Sequence, residues 1–180
     1  MMLSSLRTKS KMQLHLYIVS IDRLFTKEFG RHNSLAVFNK VIETTSGEGL
    51  MKELSYNPVP PGTSVIVIVD FSLVDRDHPQ SPNGLEVLAQ LQESYRNFEL
   101  ILLLKPAEKT NKNTAFKMGI ENVLIKNDNF FVRFEIALKE ILNKLSLLRK
   151  ERELRLLLMV FAAFTVISTL IIVIISLIER

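Results

Sequence analysis

Short apolar runs of strand length alternate along this chain with segments whose apolar residues return every three or four positions. "LHLYIVS" (14–20) is such a run, and "DRLFTKEFG" (22–30) follows with Leu24, Phe25 and Phe29 near helical spacing before Gly30 stops it. "AVFNKVIE" (36–43) predicts a second strand, closed by "TTSG", and "EGLMKELS" (48–55) a short helix ended by the Pro-rich turn "YNPVPPGT". "SVIVIVD" (64–70) is so rich in β-branched residues that it belongs in the middle of a sheet covered on both faces. Next come a helix, "GLEVLAQLQESY" (84–95), a buried strand, "FELILLLK" (98–105), a helix, "NKNTAFKMG" (111–119), and a last strand, "NVLIK" (122–126). The segment 129–155 reads as one long helix. Five strands alternating with five helices imply parallel βαβ units with right-handed crossovers.

The end of the chain has a different pattern. From Leu156 to Ile178, "LLLMVFAAFTVISTLIIVIISLI", 23 residues carry no charge, and as a helix they would extend roughly 34 Å, enough to cross a bilayer. A core helix of so small a domain would be apolar on one stripe, not all round. The expectation is therefore a last helix that runs on into a single transmembrane helix. Lys144, Arg149, Lys150, Arg152 and Arg155 precede this stretch and Arg180 follows it, so the positive-inside tendency keeps residues 1–155 in the cytoplasm; in a bacterial cell the anchor would lie in the inner membrane. The start has an apolar run too short, and broken by His15, for a signal peptide. Four segments result: an extension over 1–11, a domain over 12–145, a basic juxtamembrane helix over 146–155, and the span 156–178. Met12 is an alternative start.

Composition narrows the chemistry. Among 180 residues there is no cysteine, which removes disulfides, thiolate metal sites and thiol nucleophiles. The net charge of +4 is made at the two ends, by Arg7, Lys9 and Lys11 and by the bases near the apolar stretch, while 12–138 is slightly acidic. No clustered basic array with interleaved aromatics is present, so nucleic acid is not an expected partner. Leu138, Ile141, Leu145 and Leu148 recur at three and four, the spacing of a helix–helix seam. Ala162, Thr165, Thr169 and Ser176 give the apolar stretch a small, hydroxylated face. A homo-oligomer through 138–176, or a partner helix, is the interaction these patterns suggest.

In doubly wound sheets of the flavodoxin-like (βα)5 order, ligands sit outside the carboxyl ends of the strands at the switch point. Here those ends are Ser20 to Asp22, Asp70, Leu104 with Lys105, and Lys126. Three readings of Asp70 stay open: a turn-forming or helix-capping carboxylate, a structural ion pair with Lys126, or a phosphorylated side chain. Asp75, Asp77 and His78 lie in a loop that reads as simply solvated, and no metal is expected there. His15 and His32 have no partner at ligand or catalytic spacing.

Residues 12 to about 145 resemble the CheY-like receiver domain of two-component response regulators, on "YIVSIDRLF", "TTSGEGLMKEL", "VIVIVDFSLVD…NGLEVLAQL" and "AFKMGIENVLIKND" taken in order. The resemblance implies an acidic pair after the first strand that binds Mg²⁺ with an aspartate ending the third, which accepts phosphate. It also implies a Thr or Ser ending the fourth strand and a Lys ending the fifth. Asp70 matches the phospho-acceptor and Lys126 the lysine. The acidic pair falls on Ser20 and Ile21, with Asp22 one place beyond. The Thr/Ser position falls on Leu104, and Val74 stands where a proline is usual. Mg²⁺ needs near-octahedral oxygen ligands, so Asp70 with at best Asp22 makes a poor site and no cofactor is expected.

The expected function is a membrane-anchored pseudo-receiver, a protein–protein interaction or scaffold module in a bacterial membrane-associated signalling assembly, with no catalysis. Its bacterial origin rests on the resemblance. One rival is a working response regulator that takes phosphate on Asp70 from a histidine kinase, with Asp22 as substitute ligand. The other is a structural subunit of a membrane complex in which the span is the active part.

Overall fold

Residues 13–73 and 83–178 are described by a computed structural model, with side chains through residue 168. Expectations for the extension 1–11, Met12, Val74, Asp75, Asp77 and His78 fall outside these residues, as do the side chains of Thr169 and Ser176. The strands are β1 (Leu14–Val19), β2 (Lys40–Thr44), β3 (Ser64–Asp70), β4 (Phe98–Leu104) and β5 (Asn122–Ile125). They pair in parallel, as the alternation implies, in the order β2-β1-β3-β4-β5, which is the flavodoxin-like order. The helices are α1 (Arg23–Gly30), α2 (Gly47–Tyr56), α3 (Gly84–Ser94), α4 (Lys112–Lys117) and α5 (Phe130–Ile178).

Helix starts follow local chemistry. Asp22 caps α1 by accepting from the Phe25 N–H, Ser46 caps α2 through the Gly49 N–H, and Asn83 with Glu86 forms a reciprocal capping box on α3. Gly119, just past α4, has φ +81°, the left-handed conformation that glycine adopts without a Cβ penalty.

Strand two departs from the reading of 36–43. Residues Asn33–Val37 form a 3₁₀ helix, and the strand starts at Lys40. The imidazole of His32 accepts from the Ser34 N–H and sets a tight turn. Val37 and Phe38 are buried inside that turn, so their apolar character reflects a core contact and not a ladder. The segment 106–111 is likewise 3₁₀, and it leaves α4 shorter than the expected 111–119.

Alternate residues of the central strands face opposite layers. Tyr17, Val67, Val69 and Leu102 pack with Leu50 of α2 and Leu88 of α3 in one core. Leu16, Ile66, Ile68 and Ile101 are as fully buried on the other face. An aromatic group joins α1 to the first turns of α5: Phe25–Phe130 at 5.1 Å and Phe29–Phe134 at 4.9 Å between ring centroids. Edge-to-face rings of this kind add stability beyond their buried area.

The chain divides into two compact units, Met1–Ala137 and Leu138–Arg180. In the second, α5 continues unbroken to Ile178. Among the described residues no helix is long and apolar enough to cross a membrane; side chains from 169 onward lie outside that description. Of the expected seam, Leu138 and Ile141 are buried and Leu148 is exposed.

Candidate functional site

Sheet register assembles the site from segments far apart in sequence. Val19 lies opposite Val69, so one step further Ser20 comes beside Asp70. Asp70 pairs with Leu103, and the Lys126 N–H continues the ladder to Leu104 O at 2.8 Å. Side chains after β1, at the end of β3 and after β5 thereby meet at the carboxyl edge, where such sheets keep their ligands.

Asp70 is 1% exposed. Its Oδ2 accepts from Ser20 Oγ at 2.9 Å and from Lys126 Nζ at 2.5 Å. Burial of a carboxylate demands such partners, since an unpaired buried charge is strongly unfavourable. The other oxygen, Oδ1, is buried with no hydrogen-bond partner among the described residues. The Lys126 side chain is 10% exposed; its ammonium also lies 3.5 Å from Asp22 Oδ2 and 4.1 Å from the centre of the Phe25 ring. Two carboxylates and an aromatic face thus hold one positive charge, and the ring contributes through its quadrupole.

Asp22 serves two structures at once. Oδ1 caps α1, Oδ2 faces Lys126, and its own N–H donates to Ser20 Oγ at 3.2 Å. Burial pushes the Asp22 carboxyl upward, but the Phe25 N–H, the Lys126 charge and the Leu24 N–H together outweigh it and hold the group below its ordinary value.

The loops around the site are tied to each other. The Ser72 hydroxyl donates to Glu108 Oε1, and Glu108 Oε2 accepts from the Lys105 N–H at 2.8 Å. Gly84 opens α3 against the end of β3: a Cβ there would collide with Asp70 O and stand 2.8 Å from Phe71 Cα. Only a residue without a side chain allows so close an approach.

Of the residues singled out in the sequence, the structure brings together Ser20, Asp22, Asp70 and Lys126. Ile21 is 42% exposed and offers no donor atom, and Leu104 is fully buried and apolar. His15 is apart from the site in β1, where burial and the nearby Lys40 charge lower its pKa. His32 stacks on Phe131 at 4.4 Å. Phe25 and Glu108 were not singled out by pattern. Phe25 read only as an apolar helix position, although its place three residues after a capping aspartate at a strand end is a signal in retrospect.

Among the described residues no group of three or more His, Asp or Glu is gathered to hold a metal ion. The Mg²⁺ that the resemblance implies does not fit the donor set. One oxygen of Asp70 is shared with an ammonium, Ser20 supplies a neutral hydroxyl, Ile21 supplies nothing, and one oxygen of Asp22 is committed to a helix cap.

No protein-family profile matches the chain, and no curated protein does. Solved structures do. The receiver domain of the TMAO respiratory system response regulator TorR is 19% identical with a TM-score of 0.57, over 72% of this chain and 97% of that one. The receiver domain of NtrX from Brucella abortus is 10% identical with a TM-score of 0.53, over 69% of this chain and 95% of that one. A structure described as adenylate cyclase from Rhodopirellula baltica is 17% identical with a TM-score of 0.62, over 79% of this chain and 97% of that one. At these identities the likeness is one of fold: the parallel sheet and flanking helices of this chain are arranged as in those receiver domains.

Proposed function

We propose that this chain is a membrane-anchored pseudo-receiver, a signalling module that works by contact with protein partners. The observation that carries the reading is the buried Asp70 carboxylate, whose Oδ2 is already shared between Lys126 and Ser20. Where a receiver needs acidic ligands this chain has Ser20 and Ile21, and where it needs a hydroxyl to grip a phosphoryl group it has Leu104. A static ion pair in place of a phosphoryl site leaves the surface of the fold as its working part. The anchor rests on the charge-free run 156–178 and the bases before it.

One observation favours a second reading, phosphorylation of Asp70: its Oδ1 has no partner among the described residues. Amide NMR of the full chain in detergent, with Mg²⁺ and then with beryllium fluoride as a mimic of aspartyl phosphate, separates the two. A pseudo-receiver gives an unchanged spectrum. Shifts centred on Asp70 and Lys126, lost in Asp70→Asn, would make the chain a working switch.

A further inference from the structure

We infer that Asn83–Gly84 is a latent deamidation site, held silent by the hydrogen bonds at the start of α3, and that its reaction, once started, disturbs the carboxyl edge beside Asp70. The chemistry needs no partner and holds for either reading of Asp70.

Two separate demands of the fold put these residues side by side. Position 83 is the N-cap of α3, and asparagine is among the best caps because its side-chain oxygen accepts a backbone N–H. Position 84 lies so close to the end of β3 that a Cβ would meet Phe71 Cα at 2.8 Å, which leaves only glycine. The result is an asparagine followed by a residue with no side chain to shield its amide nitrogen, a pairing that occurs once in the sequence. Steric resistance to cyclisation is least in such a dipeptide.

The reaction is self-contained. The Gly84 nitrogen, its proton taken by solvent base, bonds to Asn83 Cγ; the Cγ–Nδ2 bond breaks and ammonia leaves, giving a five-membered succinimide. Water then opens the ring. Cleavage between the nitrogen and Cγ gives aspartate, and cleavage between the nitrogen and the main-chain carbonyl carbon gives isoaspartate, whose main chain is one carbon longer.

In the folded chain each group that must move is tied. The Gly84 N–H donates to Phe71 O at 3.1 Å. Asn83 Oδ1 accepts from the Glu86 N–H, Asn83 Nδ2 donates to Glu86 Oε1, and the Asn83 N–H donates to Glu86 Oε2, each at 3.1 Å. Attack therefore requires the start of α3 to open, and its rate reports that opening. The two products differ in what the fold accepts. Aspartate caps a helix as well as asparagine does. Isoaspartate inserts a carbon where Gly84 touches Asp70 O and Phe71 Cα, and α3 no longer seats there.

The test follows the full chain in detergent at mildly alkaline pH, folded and in concentrated urea, by peptide mass spectrometry at Asn83 and enzymatic methylation of isoaspartate. The folded chain should deamidate at least about tenfold more slowly than the unfolded one, a ratio set by the opening equilibrium. Glu86→Ala removes two of the four bonds and should speed the folded-state reaction about fivefold, with circular dichroism confirming that the variant is folded. Amide shifts of Asp70 and Phe71 should move in chains that carry isoaspartate and stay in place in Asn83→Asp. Equal rates in the folded and unfolded chain would overturn the protected site. A folded Glu86→Ala chain no faster than the parent would overturn the capping box as its lock, and unmoved shifts in isoaspartate chains would overturn the coupling to the carboxyl edge.

Discussion

The ammonium of Lys126 lies 2.5 Å from Oδ2 of Asp70, 56 residues away in sequence and almost wholly buried. Proximity of this kind sets the behaviour of the carboxyl edge, because each partner is the main compensation for burying the other. Removing one partner of a buried pair typically costs about 3–5 kcal/mol, while replacing both with apolar or neutral groups costs far less. Lys126→Met should therefore destabilise the protein by about 3 kcal/mol. The double variant Asp70→Asn with Lys126→Met should lose at least ~1 kcal/mol less than the sum of the single losses. Urea unfolding of the four proteins measures the coupling, and additive losses would mean that the pair contributes nothing.

Two groups set the pH dependence at the acid side. His15 has a lowered pKa in the fold, from burial and then from Lys40, so the unfolded chain takes up its proton first. Stability from this group is complete above about pH 6.5 and falls as the pH drops below it. Asp22 is lowered likewise, and its contribution is lost on further acidification below about pH 4. His15→Gln should flatten the upper part of the stability–pH curve and Asp22→Asn the lower part. Asparagine keeps the helix cap, so the change in slope reports the charge. Thermal melts from pH 7 to pH 3 read both windows.

Gly84→Ala should destabilise the protein by about 2 kcal/mol or more, since the added methyl meets backbone atoms that cannot rotate away. Because the clash is with Asp70 O, amide shifts in the variant should change at Asp70 and Lys126 as well as along α3. A variant as stable as the parent with unchanged shifts would mean that α3 slides at no cost.

Restoring carboxylates should create a cation site that the present donor set does not provide. Ser20→Asp combined with Ile21→Asp places two acidic groups beside Asp70, where Ser20 Oγ now lies 2.9 Å from its Oδ2. Divalent cations favour such clustered oxygen ligands. Mn²⁺ should broaden amide signals around residues 20–22 and 70 in the variant and leave the parent unaffected. Equal broadening in both would show that the parent already holds a divalent ion.

Much of the fold was legible in the sequence because local periodicity and burial coincide along β1, β3 and β4. The β-branched run of β3 could only be a covered central strand, and the alternation with helices implied a parallel sheet, whose order 2-1-3-4-5 is the flavodoxin-like one. Strand two was misplaced because Val37 and Phe38 are apolar for a reason other than a ladder: a turn set by His32 tucks them into the core. Edge strand β2 itself is mostly exposed and carries little hydrophobic signal of its own.

The site shows the same division. Asp70 and Lys126 were placed at strand ends by pattern alone, and the sequence left open whether they touch. Sequence by itself determined β1, β3, β4 and β5, most helix starts and the charge-free end of the chain, since each depends on neighbours within a turn or a pleat. Tertiary structure alone decided that Ser20 and Lys126 share one oxygen of Asp70, that the Phe25 ring covers the ammonium and that Glu108 bonds Ser72. Those contacts join residues brought together by sheet register and helix docking, and no local interaction in the sequence encodes the distance between them.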